Sequence, residues 1–354
     1  MALSGVNTSP LYVPLDDLPP MAVIFGHSEP MRAVQEKVEK VASANVPVLI
    51  QGESGTGKEI IARLIHRLSP WHSGPLVKVN CPAIPGTLLE SELFGYERGA
   101  FTGAYGTKPG RVELAHRGTL FLDEIAELEP ALQAKLLQLL QDGQFCRIGA
   151  QEDTRVEVRV VCATNRQLER EMEVGTFRQD LFYRINVLNM QLPPLRERRE
   201  DIPALVNYFL QAFKEEYDCQ AAPISSWTVQ LLQDYGWPGN IRELENLVKR
   251  YVILGSEEAI TSEILGRGQG AFSPEIPSDG SIPLKTVTRQ AVRELEGRII
   301  RKALEAHSWN RKQVARALSI SYRALLYKIR EAGLPSKRSA RRVEAIPSFA
   351  AAVN

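Results

Sequence analysis

Cysteine is scarce in this 354-residue chain: Cys81, Cys146, Cys162 and Cys219 stand far apart, and no CxxC pair occurs. That spacing offers neither a zinc cluster nor a disulfide framework and leaves inert or buried thiols as the plain expectation. Long apolar runs are missing as well, with nothing near the roughly 18 consecutive apolar residues of a membrane span. The opening MALSGVNTSPLYVPLDDLPP has neither the basic start nor the apolar core of a secretory signal. A cytoplasmic protein with no membrane partner is expected. Charge of one sign is also lacking overall, the formal net charge being +1. The balance is uneven along the chain: residues 285–354 hold 16 Lys or Arg against 5 Asp or Glu, and the remainder holds 27 against 37. A compact basic end beside an acidic body points to two different partners, with nucleic acid for the basic one.

What is present is an ordinary globular composition, 44% hydrophobic, enough for two or three cores. Residues 1–22 hold four prolines and read as an extended tail with no room for a folded sensory domain. Over 23–198, strand-like runs (VPVLIQG, LVKVN, GTLFLDE, RVEVRVVCATN) alternate with helical patterns such as KEIIARLIHRL. That alternation predicts an α/β fold, a parallel sheet with helices on both faces. Residues 199–266 are helical by spacing, interrupted by GWPGN, and form a second subdomain. A Gly, Pro and Ser rich linker is expected over 267–284, a small helical module over 285–334 and a loose basic tail over 335–354.

The run VPVLIQGESGTGKEIIARLI orders a buried strand, a glycine loop and an amphipathic helix. Gly52, Gly55 and Gly57 let backbone N–H groups converge on an anion, the helix N-terminus adds its positive end, and Lys58 reaches the outer phosphates. The bare pattern would arise by chance in about one chain in ten of this length; the strand, loop and helix context makes it a nucleotide site. Glu59 stands where a Ser or Thr hydroxyl usually meets magnesium, so the metal must lean on phosphates, water and another carboxylate. GTLFLDE supplies one, since a strand ending in two acids sets Asp123 and Glu124 at the sheet edge beside the loop. Asp123 is assigned to Mg2+ and Glu124 to polarising the attacking water. An acidic turn after a strand is the bland alternative.

A second glycine-rich stretch, ELFGYERGAFTGAYG, sets Tyr96 and Phe101 among four glycines. It is too flexible for a helix interior and too short for a buried strand. Either Phe101 folds back onto the core, or it is exposed for a partner.

Taken with GESGTGKE at 52–59, GAFTGA at 99–104 resembles the AAA+ activators of sigma-54 RNA polymerase, the bacterial enhancer-binding proteins, over about residues 23–334. The resemblance implies an AAA+ P-loop ATPase with a helical lid, ATP held by Gly52, Glu53, Ser54, Gly55, Thr56, Gly57, Lys58 and Glu59, and a loop of Gly99, Ala100, Phe101, Thr102, Gly103 and Ala104 that touches the sigma factor of the polymerase holoenzyme. It further implies that Asn80 restrains the catalytic Glu124 until nucleotide is sensed. Thr164 and Asn165 match the first sensor and Arg242 the second. Arg178 and Arg184 match arginine fingers supplied across a subunit interface, so the active form would be a ring, for which the family suggests a hexamer. A guanidinium suits that role because its planar fork neutralises spread phosphoryl charge.

At the basic end, two short helical patterns meet at LSIS, with Asn310 and Ser321 as N-caps and Val314, Leu318, Leu325 and Ile329 as apolar faces. That is a helix-turn-helix, and it resembles the Fis-type module of the same family. It departs at two places, with Ser319 where glycine is common and Ala324 where threonine is. For double-stranded DNA, Tyr322, Arg323 and Tyr327 are expected on base edges, with Lys328 beside them and Arg311, Lys312 and Arg316 on phosphates. The whole describes an ATP-dependent transcription activator in the bacterial nucleoid. Two other readings compete with it, an AAA+ remodeller of another client and a DNA-binding repressor with a weak ATPase. The absence of a receiver domain from the sequence predicts activity without phosphorylation.

Overall fold

A computed structural model of the chain describes residues 18–258, 260–262 and 264 and, further on, 300, 303–304, 310–317 and 320–331. The chain forms two compact units, Met1–Gly268 and Gln269–Asn354. The expected linker and basic tail, most of the extended tail, Leu318 and Ser319 lie outside the described residues.

The first unit opens with short helix α1 (Met21–Phe25), so the last two residues of the expected extended tail are helical. It continues with α2 (Glu29–Ala42), β1 (Val48–Gln51), α3 (Lys58–Arg67), β2 (Leu76–Asn80) and α4 (Gly86–Phe94). After the β3 (Gly95–Tyr96) and β4 (Lys108–Pro109) ribbon come α5 (Arg111–Leu114), β5 (Thr119–Asp123) and α6 (Pro130–Asp142). Next follow the β6 (Gln144–Cys146) and β7 (Asp153–Arg155) hairpin, β8 (Arg159–Thr164), α7 (Leu168–Glu173), α8 (Gln179–Ile185) and β9 (Leu188–Gln191).

Five strands make one sheet in the order β2-β5-β8-β1-β9, every pairing parallel. The two-residue periodicity of a strand sends neighbouring side chains to opposite faces, and both faces are covered. Leu49, Leu120, Leu122, Val160 and Cys162 pack on one side with α4, α6 and α8. Val48, Ile50, Phe121, Val161 and Ala163 pack on the other with α2 and α3. The doubly covered parallel sheet predicted from the alternation of runs is therefore the fold observed.

Helices α9 (Ile202–Tyr217), α10 (Ser226–Asp234) and α11 (Asn240–Leu254) form the lid around a separate core. Leu195 is already part of that core, so the lid packing starts before residue 199. Trp237 is fully buried, and its indole N–H donates to Leu232 O at 2.8 Å. This anchor turns GWPGN into a fixed corner: Trp237 and Asn240 both take left-handed φ, at 47° and 52°. No helix among the described residues is long and apolar enough to cross a membrane.

A buried carboxylate clasps sheet and lid together. Asp201, buried at the start of the lid, accepts hydrogen bonds from the N–H groups of His27 and Ser28 at 2.6 and 3.0 Å and from Ser28 Oγ at 2.6 Å. Gly26 must be glycine, since its φ is +59° and a Cβ would stand 2.2 Å from Asp201 Oδ1. Removing the acceptor leaves three donors unsatisfied. Asp201→Ala is expected to lower stability by about 3 kcal/mol, read as a lower urea midpoint, whereas an unchanged midpoint would show that the clasp does not hold the lid.

Candidate functional site

Gly52 through Gly57 turn from β1 into α3, with φ of 79° at Gly55 and 99° at Gly57, values open to glycine and costly for other residues. Lys58 is buried in the cradle this turn makes. Its Nζ donates to the carbonyls of Gly52 and Glu53 at 2.9 and 3.3 Å and lies 3.5 Å from Glu124 Oε1. The ammonium thus points into the loop, in reach of whatever anion fills it.

β5 ends beside this loop because it is a strand removed from β1 in the sheet, with β8 between. Asp123 pairs in register with Asn80 on one side and Ala163 on the other. Among the described residues nothing donates a hydrogen bond to its carboxylate, and burial pushes its pKa up against the pull of Lys78. Glu124 adopts φ 56°, a left-handed conformation uncommon for a non-glycine residue, which aims its side chain back at Lys58. Its other oxygen accepts the Asn165 N–H at 2.9 Å.

Sensor positions distribute as follows. Asn165 reaches Glu124 through its backbone, while Thr164 is fully buried, its Oγ1 accepting the Arg166 N–H at 3.1 Å. Asn80 is exposed at the strand end beside Asp123, and the hydrogen bonds on Glu124 come from elsewhere. Glu59 is held by Lys78 at 2.6 Å. Among the described residues no group of three or more His, Cys, Asp or Glu could hold a metal ion by itself. Cys81, next to Asn80, is buried, and its thiol is pushed up to about 12 by burial and then by Asp123, which makes it unreactive.

The glycine loop opens into a cavity of about 410 Å³ between sheet and lid. One wall carries Lys58, Asp123 and Glu124; the other is apolar, with Val23, Ile24, Leu205, Phe209 and Ile241. A polar end for phosphates and an apolar end for a base is the pattern of a nucleotide pocket. Arg242 lines it, with Nη1 donating to Ser54 Oγ at 3.1 Å.

Sequence reasoning missed the residues that seat the lid on the loop. Arg196 makes a bidentate pair with Glu53, Nη1 and Nη2 lying 2.8 and 2.6 Å from its two oxygens, and holds that carboxyl below its ordinary range. Glu53, expected against nucleotide, is instead turned to the lid. Arg198, 2% exposed, donates to Thr56 O at 2.9 Å, and its burial lowers its pKa to about 10. The signal was two arginines in PPLRERRED just after the last strand, unreadable without knowing what they would meet.

Phe101 sits on a loop with φ of 85° at Gly99 and 106° at Gly103, open space surrounding both. It is 43% exposed, yet its ring meets Tyr96 edge-on with centroids 4.9 Å apart. The ring thus rests on Tyr96 in part-exposed form and lies outside the buried core. Such a pair is worth about 1 kcal/mol, so the ring can be given to another surface at little cost. Tyr105, unremarked in the sequence, is 91% exposed. The loop base is firmer: Arg147, from the turn after β6, donates to Glu97 at 2.6 Å and to Glu113 at 2.8 Å, and Thr107 Oγ1 donates to Glu97 at 2.6 Å.

Arg178 and Arg184 are not among the residues that line the cleft between sheet and lid. Arg178 is exposed and paired with Asp180 at 2.6 Å, and Arg184 is exposed, with Nη2 donating to Leu140 O at 2.8 Å.

In the second unit, the helices Arg311–Ala317 and Tyr322–Glu331 pack Val314, Ala315, Leu325 and Ile329 against Ile300 and Leu304. Asn310 and Ser321 cap them, accepting the N–H groups of Gln313 and Ala324 at 3.4 and 3.1 Å. Tyr322, Arg323, Tyr327, Lys312 and Arg316 are exposed; Arg311 and Lys328 are half-buried.

Comparison with known proteins agrees with this arrangement. The family model of the Sigma-54 interaction domain matches residues 24–191, that of the AAA+ ATPase lid domain 196–273, and that of the Bacterial regulatory protein, Fis family 291–331. The Regulatory protein AtoC of Escherichia coli is 46% identical over 88% of this chain and 68% of its own length. The Nif-specific regulatory protein of Azotobacter vinelandii is 44% identical over 87% of this chain, which spans 58% of that relative. Among solved structures, NtrX from Brucella abortus in complex with ATP is 34% identical, with a TM-score of 0.64 over 88% of this chain and 69% of that one. From its nucleotide loop to its basic helix pair, the chain belongs to the family of sigma-54-dependent transcriptional activators, AAA+ ATPases with a Fis-type DNA-binding module.

Proposed function

We propose that this chain binds ATP with Mg2+ in the cleft between sheet and lid, hydrolyses it in a ring of copies, a hexamer, and uses the cycle to remodel the sigma-54 RNA polymerase closed complex into an open one. The observation that carries the reading is the pairing of a complete hydrolytic edge, Lys58 with Asp123 and Glu124, with a GAFTGA loop on the same unit that exposes Phe101, Thr102 and Gly103 and buries Ala104. Double-stranded DNA upstream of the promoter is held through Tyr322, Arg323 and Tyr327 on bases and Arg311, Lys312, Arg316 and Lys328 around them.

The donor set fits magnesium. Asp123 is a carboxylate with no donor on it among the described residues and with a pKa raised by burial, and a divalent cation relieves both conditions. Asp123 would hold the metal together with water and phosphate oxygens, and the metal would neutralise charge on the phosphoryl group. Lys58 leaves the Gly52 and Glu53 carbonyls for the phosphates. Glu124, freed from Lys58 and still oriented by the Asn165 N–H, accepts a hydrogen bond from the attacking water and draws its proton as the bond to the leaving phosphate breaks. Arg242 closes the site from the lid, and Thr164 keeps the strand end in place. Since Arg178 and Arg184 lie outside their own chain's cleft, they serve the site of a neighbouring copy. The loop 99–104 meets the sigma factor through Phe101 and Thr102.

Three tests follow from these roles. Lys58→Ala should abolish nucleotide binding, while Glu124→Gln should keep it and lower kcat by about a hundredfold or more; equal loss of binding in both would remove Glu124 from the chemistry. Mixing Lys58→Ala with Arg184→Ala subunits, each inactive alone, should restore part of the ATPase rate, because an intact site can then meet an intact arginine from its neighbour. No recovery would place the arginine in its own subunit's site. Finally, the protein loaded with ADP and aluminium fluoride should shift a sigma-54 promoter complex in a gel, and Thr102→Ala should not. Absence of the shift in both, with hydrolysis intact, would mean another client.

A further inference from the structure

Three consecutive carbonyls of the glycine loop are engaged by the lid side of the cleft. Ser54 O accepts Asn240 Nδ2 at 3.0 Å, Gly55 O accepts the Ile241 N–H at 2.9 Å, and Thr56 O accepts Arg198 Nη2 at 2.9 Å. A trans peptide carries its N–H opposite its C=O. Turning these carbonyls to the lid therefore turns the peptide N–H groups that follow them the other way; the Thr56 N–H donates to Glu53 O at 3.3 Å, and those of Gly55 and Gly57 face the concavity where an anion is received. The lid is in this sense part of the phosphate cradle. It also explains Gly55 beyond its φ, since a Cβ there would stand 2.4 Å from Gly239 O.

One side chain of the loop ties this contact together. Glu53 takes both prongs of Arg196 and, at 3.1 Å, the Asn240 amide. Asn240 is fully buried, and its amide oxygen accepts the Leu195 N–H at 2.8 Å while its nitrogen serves Glu53 and Ser54 O. A residue held so completely, in a left-handed conformation, sits where it does because its partners fix it. Glu53 is absent from the walls of the nucleotide cavity. Its own pairing with Arg196 is about two-fifths exposed on each side, so it adds little to global stability.

We propose that Glu53, with Arg196 and Asn240, is a positioning latch that keeps the glycine loop in its anion-receiving form and sets the affinity of the site for the nucleotide. The proposal rests on the reading of the cleft as an ATP site. The latch acts on the bound phosphates alike before and during reaction, so its loss belongs in KM and not in kcat.

The test is a double-mutant cycle on the full chain, measuring ATPase kinetics together with direct binding of a fluorescent ATP analogue. Glu53→Ala and Arg196→Ala should each raise KM and the analogue's Kd about tenfold, with kcat within about threefold and the thermal midpoint unmoved. The double variant should be no worse than about tenfold, because one latch is lost only once. Singles within twofold of the parent, a double that multiplies to about a hundredfold, or a loss confined to kcat would each overturn the latch. A parent that binds no analogue at all would overturn the ATP-site reading and the latch with it. A parent that binds without turnover leaves the latch measurable by Kd alone.

Discussion

The seating of the lid on the glycine loop is the contact on which the site depends. A glycine-rich loop gains its freedom at an entropic cost, and left alone it would sample many arrangements of its peptides. Here the carbonyls at 54, 55 and 56 each have a donor from the far side of the cleft. The loop is consequently ordered before any phosphate arrives, which is what an electrostatic cradle requires to bind tightly. The clasp of Asp201 on His27 and Ser28 fixes the other margin of the lid, so the lid is attached to the sheet at two separated places.

Electrostatics within the cleft are complementary to that order. Lys58 has two carbonyls and Glu124 for company, a stable arrangement for a buried cation that a phosphate can outcompete because it offers full negative charge. Glu124 has a second tie, to the Asn165 backbone, so it stays aimed after Lys58 departs. Asp123 has none among the described residues and is the carboxylate left for a cation. Two acids adjacent in sequence thus acquire different roles from their surroundings, one from an uncommon φ and a backbone donor, the other from the strand it ends.

Much of this was legible from sequence because it is local. A strand, glycine loop and helix within twenty residues, two acids ending an apolar run, and Asn310 and Ser321 each three residues before the N–H they cap are patterns in which chemistry and spacing coincide. What was not legible arrives from far away. Arg198 meets Thr56 across 142 residues, Arg196 meets Glu53 across 143, and Asn240 meets Glu53 across 187. Glu53 therefore looked like one more nucleotide-facing loop residue until its partners were known. Phe101 and Tyr96 are near in sequence, but their contact needs the left-handed turn at Gly99, and a glycine announces freedom without saying which conformation it takes.

The same distinction between firm and free governs the exposed loop. Helix α4 leads from the turn after Asn80 to that loop, and both its ends are tightly fitted: a Cβ on Gly86 would meet Glu129 Oε1 at 2.6 Å, and one on Gly95, at φ 77°, would meet Lys108 O at 2.4 Å. Beyond α4, Arg147 and Thr107 converge on Glu97 and tie the two stems together. The tip keeps backbone bonds of its own, Gly99 N–H to Ala104 O at 2.9 Å and Ala104 N–H to Phe101 O at 3.0 Å, while the Phe101 ring rests on Tyr96 and open space surrounds Gly99 and Gly103. A stiff connection from the strand beside Asp123 thus ends in a ring whose aromatic contact is worth about 1 kcal/mol. A modest difference in contact energy is enough to turn a ring held at that depth, while the ion-paired stem below it stays in place.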